Sequence, residues 1–424
     1  MARAGAPMLG LDIGTHTVSA VELGVGRQGL ELLSRPVVTP TPPETIQNDV
    51  VIDPETLGLA IQEMLRENGI RATRATSTVG GQSSLVVRIT EVPRMSASEL
   101  KEAMQWDVER HIPFPADSII VDYQAIERSD ASAQSPNMEV LLAVAQEDMI
   151  NAHVEALQAA GLEPEAIDVQ PLAVSRALVN VADDQMKGQT VVILNLGGAT
   201  TEIVIVRDMI LSFVRPIPIA GDALTRAIGQ GFIVEDDEAE RLKKLYADLG
   251  DGGARHYQMA PPPPASADLG GPLGVSPDAA TTPDLSGERT THLEIGDARM
   301  AAPAPTTAVQ PAAGEGDVEY TRRQVLETIA PVLNELSSEV RRSLDFYRRQ
   351  RRNEDIDRIL LVGGTANIPR IADFIGGETG ITTALGNPYM RVHYDPGMVS
   401  AEYLRDVGPV TAVAAGLAMR DMVD

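Results

Sequence analysis

The chain has 424 residues, 43% of them hydrophobic, a formal net charge of −25 and no cysteine; that length implies roughly three domains of ordinary size. The acidic balance argues against nucleic acid and anionic membrane surfaces as partners, because long-range repulsion would have to be overcome locally, and disulfides and thiolate metal sites are excluded. The six histidines are scattered without metal-ligand spacing, no run approaches the roughly 18 apolar residues of a membrane span, and MARAGAP lacks the apolar core of a signal peptide, so a soluble, cytoplasmic protein is expected.

Leu9–Leu23, LGLDIGTHTVSAVEL, is an apolar strand, a polar glycine turn and a second strand, the pattern of a β-hairpin. Gly29–Ser34 supplies a third strand, and Pro36–Pro43 is a connector. Asp53–Asn68 reads as a helix, with Asp53 as N-cap, Pro54 at the first helical position, an apolar face of Leu57, Ile61, Met64 and Leu65, and Gly69 as its stop. A strand begins near Ser83. Ser96–Ile112 is an amphipathic helix with a Ser96/Glu99 capping box and a stripe of Leu100, Met104, Val108 and His111. Trp106, the only tryptophan, lies off that stripe with Arg110; it forms either a second buried face or a partner-binding surface. Strands Ile119–Ile126 and Met138–Ala145 and a helix Gln146–Ala160 follow, and the block from 83 to 165 reads as a small inserted subdomain.

After Asp168-Val169-Gln170-Pro171 and a helix over Leu172–Val181, the hairpin pattern returns at Val191–Val206, VVILNLGGATTEIVIV. Its turn aligns with the first position for position: Asp12, Gly14, Thr15, His16 and Thr17 against Asn195, Gly197, Gly198, Ala199 and Thr200. Turns rich in Gly and Thr present backbone N–H groups and hydroxyls, a nest suited to an anionic phosphate. Met209–Ile219 is a third strand. Gly221 and Asp222 open a helix, with Asp222 near its positive end, and Glu235–Leu249 is a charged helix carrying Glu240 and Lys243. From 251 to 315, Ala, Pro, Gly, Ser and Thr dominate and periodicity vanishes, so a disordered insertion is expected. Thr321–Arg349 is a long helix with a kink expected at Pro331; the arginines at its end, Arg348 to Arg352, read as a solvated last turn or a basic contact site. Arg358–Pro369, RILLVGGTANIP, is a buried strand ending in Gly363 and Gly364, where a ligand can approach the backbone. The last helix, Val410–Met419, is built of small residues.

One glycine turn serves equally well to reverse the chain. Two matched hairpins followed by a strand and a Gly-Gly turn resemble the actin-like ATPase superfamily, an α/β fold of two ribonuclease-H-like halves closing on ATP. The resemblance implies a first phosphate loop at Asp12–Val18, a second at Asn195–Thr201, an adenosine loop at Leu361–Pro369 carrying Thr365 and Asn367, crossing connections at Gln170-Pro171 and Gly408–Gly416, and Glu240 and Lys243 beside adenine and ribose. Val92–Tyr123, VPRMSASELKEAMQWDVERHIPFPADSIIVDY, further resembles the PilM proteins of type IV pilus assembly, whose fold is close to FtsA. Implied subdomains are 1A (8–82, 166–189, 408–424), 1C (83–165), 2A (190–232, 358–407) and 2B (233–357). Also implied are ATP with Mg²⁺ and binding of the N-terminal cytoplasmic tail of an inner-membrane PilN-type protein in a groove of subdomains 1A and 1C, with Trp106 and Arg110 as candidate contacts. Other pilus platform and motor proteins are expected partners, and the chain, ending without a membrane-targeting helix, is expected at the inner membrane only through them.

Asp12 suits a hydrated Mg²⁺. The superfamily pattern has a second carboxylate where this chain has Asn195, so weak metal retention and slow hydrolysis at most are expected. An FtsA-like polymerising scaffold and a small-molecule kinase of the same superfamily, with Asp222 as its only visible base, are the competing functions.

Overall fold

The computed structural model describes residues 7–47, 49–80, 85–111, 114–115, 118–127, 135–180, 186–250, 315–351 and 354–423, without the side chains of 105–111 and 315–316. The expected insertion at 251–315 lies outside the described residues, except that Glu315 already begins the long helix.

The first half grows around the first hairpin. β1 (Met8–Ile13) and β2 (Thr17–Gly26) pair antiparallel, and β3 (Gly29–Leu32) and β4 (Val37–Pro40) extend β2. A short hairpin of β5 (Ile46–Gln47) and β6 (Val50–Val51) leads to α1 (Pro54–Glu67), where the Asp53 carboxylate accepts the Thr56 N–H at 3.0 Å and satisfies one orphan donor of the first turn. β7 (Arg74–Val79) then runs parallel beside β1.

A separate layer follows. β8 (Leu85–Pro93), α2 (Ala97–His111), β9 (Ile119–Ile126) and β10 (Asn137–Gln146) give an antiparallel sheet in the order β8-β10-β9. Ser96 and Glu99 cap α2 reciprocally, the Ser96 N–H reaching the Glu99 carboxylate at 2.8 Å. Strand alternation sorts β10 into two faces. Val140 packs with Leu100 and Met104 of α2, and Leu142 and Val144 continue that face. Leu141, Ala143 and Ala145 point the other way.

α3 (Glu147–Ala159), expected with this layer, lies on α1 instead. There Gly58 leaves no room for a Cβ against the Ala156 carbonyl, 2.6 Å away. β11 (Glu163–Val169) joins the first sheet parallel to β7. The inserted layer therefore closes at Gln146, and the chain from 147 to 165 packs with the first half.

α4 (Gln170–Ser175), extended by a wide turn over Arg176–Asn180, carries the chain into the second half. That half consists of β12 (Thr190–Leu196), β13 (Thr201–Arg207), β14 (Ile210–Ile217), α5 (Gly221–Phe232), α6 (Asp236–Tyr246), α7 (Glu315–Gln350, with Pro331 inside), β15 (Arg358–Val362), α8 (Ile371–Thr379) and β16 (Thr383–Leu385), after which α9 (Ala401–Ala418) returns the chain to the first sheet. Its sheet order, β14-β13-β12-β15-β16, repeats β3-β2-β1-β7-β11 strand for strand: three antiparallel strands, then two added in parallel. Two ribonuclease-H-like halves in tandem make this an actin-like fold.

Every residue of β12 is buried, as a central strand with helices on both faces requires. α4 and α9 lie between the two sheets, in one core that joins Val21 and Leu23 to Ile193, Val204 and Ala412. α9 lies so close to β1 and to α4 that a Cβ at Gly10 would collide with the Ala414 carbonyl, and one at Gly416 with the Ala173 carbonyl. The small residues of α9 are thus a packing requirement. α7 covers the outer face of the second sheet, burying Val325, Ile329, Leu336, Val340 and Tyr347.

Candidate functional site

The two glycine turns are built alike. The Gly14 N–H donates to the Thr17 carbonyl at 2.9 Å, and the Gly197 N–H donates to the Thr200 carbonyl at 3.0 Å. The turns also meet. The His16 ring lies against Gly198, where a Cβ would displace it, and His16 Nε2 bonds Asp222 Oδ1 at 2.6 Å. That hydrogen bond holds the His16 imidazole above its ordinary pKa.

α5 is docked on the second turn by its own start. The Gly221 and Asp222 N–H groups donate to the Gly197 and Gly198 carbonyls at 3.1 and 2.9 Å. Thr365, after the Gly-Gly turn, donates its hydroxyl to the Gly197 carbonyl at 2.7 Å, and a Cβ at Gly221 would press on that hydroxyl. Lys243 Nζ reaches the Gly221 carbonyl at 3.1 Å, Thr225 Oγ1 at 2.7 Å and Glu240 Oε2 at 2.5 Å. Burial works against the Glu240 carboxylate, but its bonds from Lys243 and Thr225 hold it below the usual range.

Asp12 ends β1 with Oδ1 buried and no hydrogen-bond partner among the described residues, and burial pushes its carboxyl up to about 7. Asn195, the matching residue, is satisfied: Nδ2 donates to Gln170 Oε1 at 3.3 Å. Its Oδ1 faces Gly363, which has φ of 90° and no space for a Cβ, so only glycine fits there. Among the described residues no group of three or more His, Asp or Glu could hold a metal directly.

The remaining expected residues divide. Thr15 donates to Asp49 Oδ1 at 2.7 Å, and the Gly14 carbonyl accepts from the Thr41 hydroxyl at 2.7 Å, so the first turn is braced from outside. Thr17 opens β2; Ala199 and Thr200 are half-buried in the second turn, and Gly364 is open. Asn367 lines a surface hollow with Arg370, Leu385 and Arg405, apart from the cluster. Two further residues join the site, Thr225, one helical turn beyond Gly221, and Glu202, while Gln170, expected only in a crossing connection, is the partner of Asn195. The signal for Glu202 was a lone acid in the apolar strand TEIVIVR. It stands opposite Asn195 across the β12–β13 ladder, its Oε2 is buried without a hydrogen-bond partner among the described residues, and burial pushes its carboxyl up to about 8. It lines a cavity of about 270 Å³ with Gly80, Gln170 and Thr200.

A second hollow, about 340 Å³, opens between the three-stranded layer and the first half. Ile120, Leu141, Ala143 and Ala145 supply one wall, Val169 and Leu172 the other. Asp168, Arg176, Arg420 and Asp421 add charge, with Arg176 Nη2 at 3.2 Å from Asp168 Oδ2. This is the face of β10 turned away from α2. Trp106 and Arg110, expected to contact a partner, sit on α2 behind that sheet, and their side chains lie outside the described residues.

The family model of the type IV pilus assembly protein PilM matches residues 10–255 and 316–422. The chain belongs to the PilM family. A PilM solved in a PilM–PilN type IV pilus biogenesis complex superposes with a TM-score of 0.74 at 24% identity, over 98% of this chain and 99% of that one. The cell division protein FtsA of Bacillus subtilis is 26% identical over 255 residues, 55% of this chain and 56% of FtsA. FtsA of Pseudomonas aeruginosa is 26% identical over 265 residues, 58% of this chain and 62% of FtsA. The match to these relatives thus spans little more than half of their length. Among its described residues this chain has no helix long and apolar enough to cross a membrane.

Proposed function

We propose that this chain is a nucleotide-binding adaptor of the type IV pilus assembly platform. In this reading it takes adenine nucleotide with Mg²⁺ between its two glycine turns, and the N-terminal tail of a PilN-type inner-membrane protein in the hollow beside the three-stranded layer. The observation that carries the nucleotide half is the meeting of two identically built turns at His16, Gly198 and Asp222, with Asp12 Oδ1 buried and without a hydrogen-bond partner among the described residues.

The residues fit the group. A buried carboxyl oxygen without a partner is costly unless a cation or its water faces it, and hydrated Mg²⁺ needs only one or two carboxylates besides phosphate oxygens and water. Asp12 would hold the metal through water, with Asn195 a weak second acceptor. Gly14, Gly197 and Gly198 keep side chains out of the phosphate path. Gly364 leaves open backbone beside the nucleoside, while Gly363 lets the chain pass against the Leu196 and Asn195 oxygens; Glu240 and Lys243 flank the nucleoside. The metal would supply charge neutralisation of the phosphates. His16 and Asp222 bridge the turns in the protein alone, so bound phosphate would compete for the same imidazole.

Three consecutive residues connect the two sites. Asp168 and Val169 line the hollow, and Gln170 grips Asn195 at the second turn. A shift of the halves around nucleotide would therefore move the floor of the hollow. Attachment to the inner membrane would come through the PilN-type partner, from the cytoplasmic side. Calorimetric titration with a peptide of that partner's N-terminal tail, with and without ATP and Mg²⁺, tests the reading. Peptide binding whose affinity changes with nucleotide is expected; no peptide heat from folded protein at high concentration would overturn the adaptor role.

A further inference from the structure

The three-stranded layer lies across both halves of the molecule, and β10 shows how. Strand alternation puts Glu139, Leu141, Ala143 and Ala145 on one face. Leu141, Ala143 and Ala145 wall the hollow beside the first half. Glu139, at the other end of that face, bonds Arg351, the residue that follows α7 of the second half. Val87 and Ile89 of β8 share a core with Val214 of β14, also of the second half. The chain enters the layer from β7 and leaves it into α3, both of the first half. The layer is thus rooted in one half and held at its far end by the other.

The hold is electrostatic. Glu139 stands directly opposite Glu91 in the β8–β10 ladder, and directly opposed like charges repel. Arg351 answers both: burial works against its charge, but the Glu139 bond and the charge of Glu91 keep the guanidinium above its ordinary pKa. The side chains of Arg351 and Glu139 are only 19% and 11% exposed, so the pair escapes the screening that makes a surface ion pair idle. A cavity of about 440 Å³, lined also by Glu91 and Asn137, adjoins it, so water can enter when the pair parts and no void opens. Resting on the adaptor reading above, we propose that the Arg351–Glu139 pair is a clamp through which the second half sets the width of the hollow, and so makes affinity for the partner's tail depend on nucleotide. From Glu139 to Ala145 the strand covers about 20 Å. A tilt of about 5° imposed at the clamp moves the wall of the hollow by about 2 Å over that length, enough to make or lose apolar contacts. Gln170 reaches the floor of the hollow; the clamp reaches its wall.

The test is calorimetric titration of the PilN-type tail peptide into the full chain, with and without saturating ATP and Mg²⁺, for the wild type, Arg351→Gln and the exchange variant Arg351→Glu/Glu139→Arg. In the wild type nucleotide changes the peptide affinity about tenfold. In Arg351→Gln the peptide still binds, but its two affinities lie within about twofold of each other, and the exchange variant restores the difference. Arg351→Gln that keeps the wild-type ratio overturns the proposal, and so does an exchange variant that behaves like Arg351→Gln. Hydrogen–deuterium exchange over 139–145 reads the clamp without any peptide. ATP with Mg²⁺ should alter that exchange in the wild type and leave it unchanged in Arg351→Gln; equal responses, or none in the wild type, overturn the clamp. A wild type that shows the exchange response but gives no peptide heat would instead strike down the tail site while supporting the clamp.

Discussion

His153 offers a perturbation whose size follows from the structure. On α3 its Nε2 lies 2.8 Å from Ser77 Oγ, and the Ser77 hydroxyl donates to the Leu11 carbonyl at 2.6 Å. With that hydroxyl proton engaged, the imidazole must donate from Nε2, and burial in the first core lowers its pKa from 6.5 to about 4. A lowered base favours protons on the unfolded chain, so stability is full above pH 6.5 and drains away as pH falls toward 4. Evaluated between those two values, the loss attributable to His153 is negligible at pH 7.5, about 1 kcal/mol at pH 5.5 and about 2–3 kcal/mol at pH 4.5. Glutamine at this position can still donate to Ser77 but does not titrate. Urea unfolding of the wild type and of His153→Gln across that pH range should show the stability gap between them closing by these amounts on acidification. Two curves that stay parallel would refute the assignment of a neutral, buried His153.

Packing of α9 on the first sheet gives a paired test: Gly10→Ala must drive a Cβ into the Ala414 carbonyl and should cost about 2 kcal/mol or more, whereas Gly364→Ala, with nothing within 4 Å, should unfold within about 0.5 kcal/mol of the wild type. Arg351 at the end of α7 bonds Glu139 of β10, tying the long helix to the three-stranded layer. Arg351→Ala should therefore destabilise the chain by about 1–3 kcal/mol in urea unfolding, and an unchanged midpoint would show the tie to be idle. In the hollow, Ile120 is 43% exposed, so Ile120→Asp should leave folding intact while weakening the PilN-type tail peptide at least about tenfold by calorimetry. Unchanged peptide affinity would place the tail elsewhere.

The duplicated hairpins were legible because alternation and glycine at a turn leave a local mark, as did the caps of α1 and α2. β7 was not. Its sequence RATSTV has no apolar alternation to mark it, yet Ala75, Thr76, Ser77 and Thr78 are fully buried. Ser77 and Thr78 manage this by donating to the Leu11 and Asp168 carbonyls, partners far away in sequence. β11 was hidden by Pro164 and the bulge beside it. α3 was visible as a helix, but its partner depended on Gly58 of α1, which no periodicity reveals. At the site, glycines and Asp12 announced themselves through their turns. Gln170, Thr225 and Glu202 act through neighbours brought together only by the tertiary fold. Trp106 drew attention by its rarity, and the hollow lies on the other face of the sheet.

Hydrogen–deuterium exchange of the full chain with and without ATP and Mg²⁺ tests the convergence of the two turns most directly. Nucleotide gripped from both sides should protect 12–17 and 195–200 together, with 361–367 following. Protection confined to one turn, or none at saturating ATP, would contradict a site built from the pair.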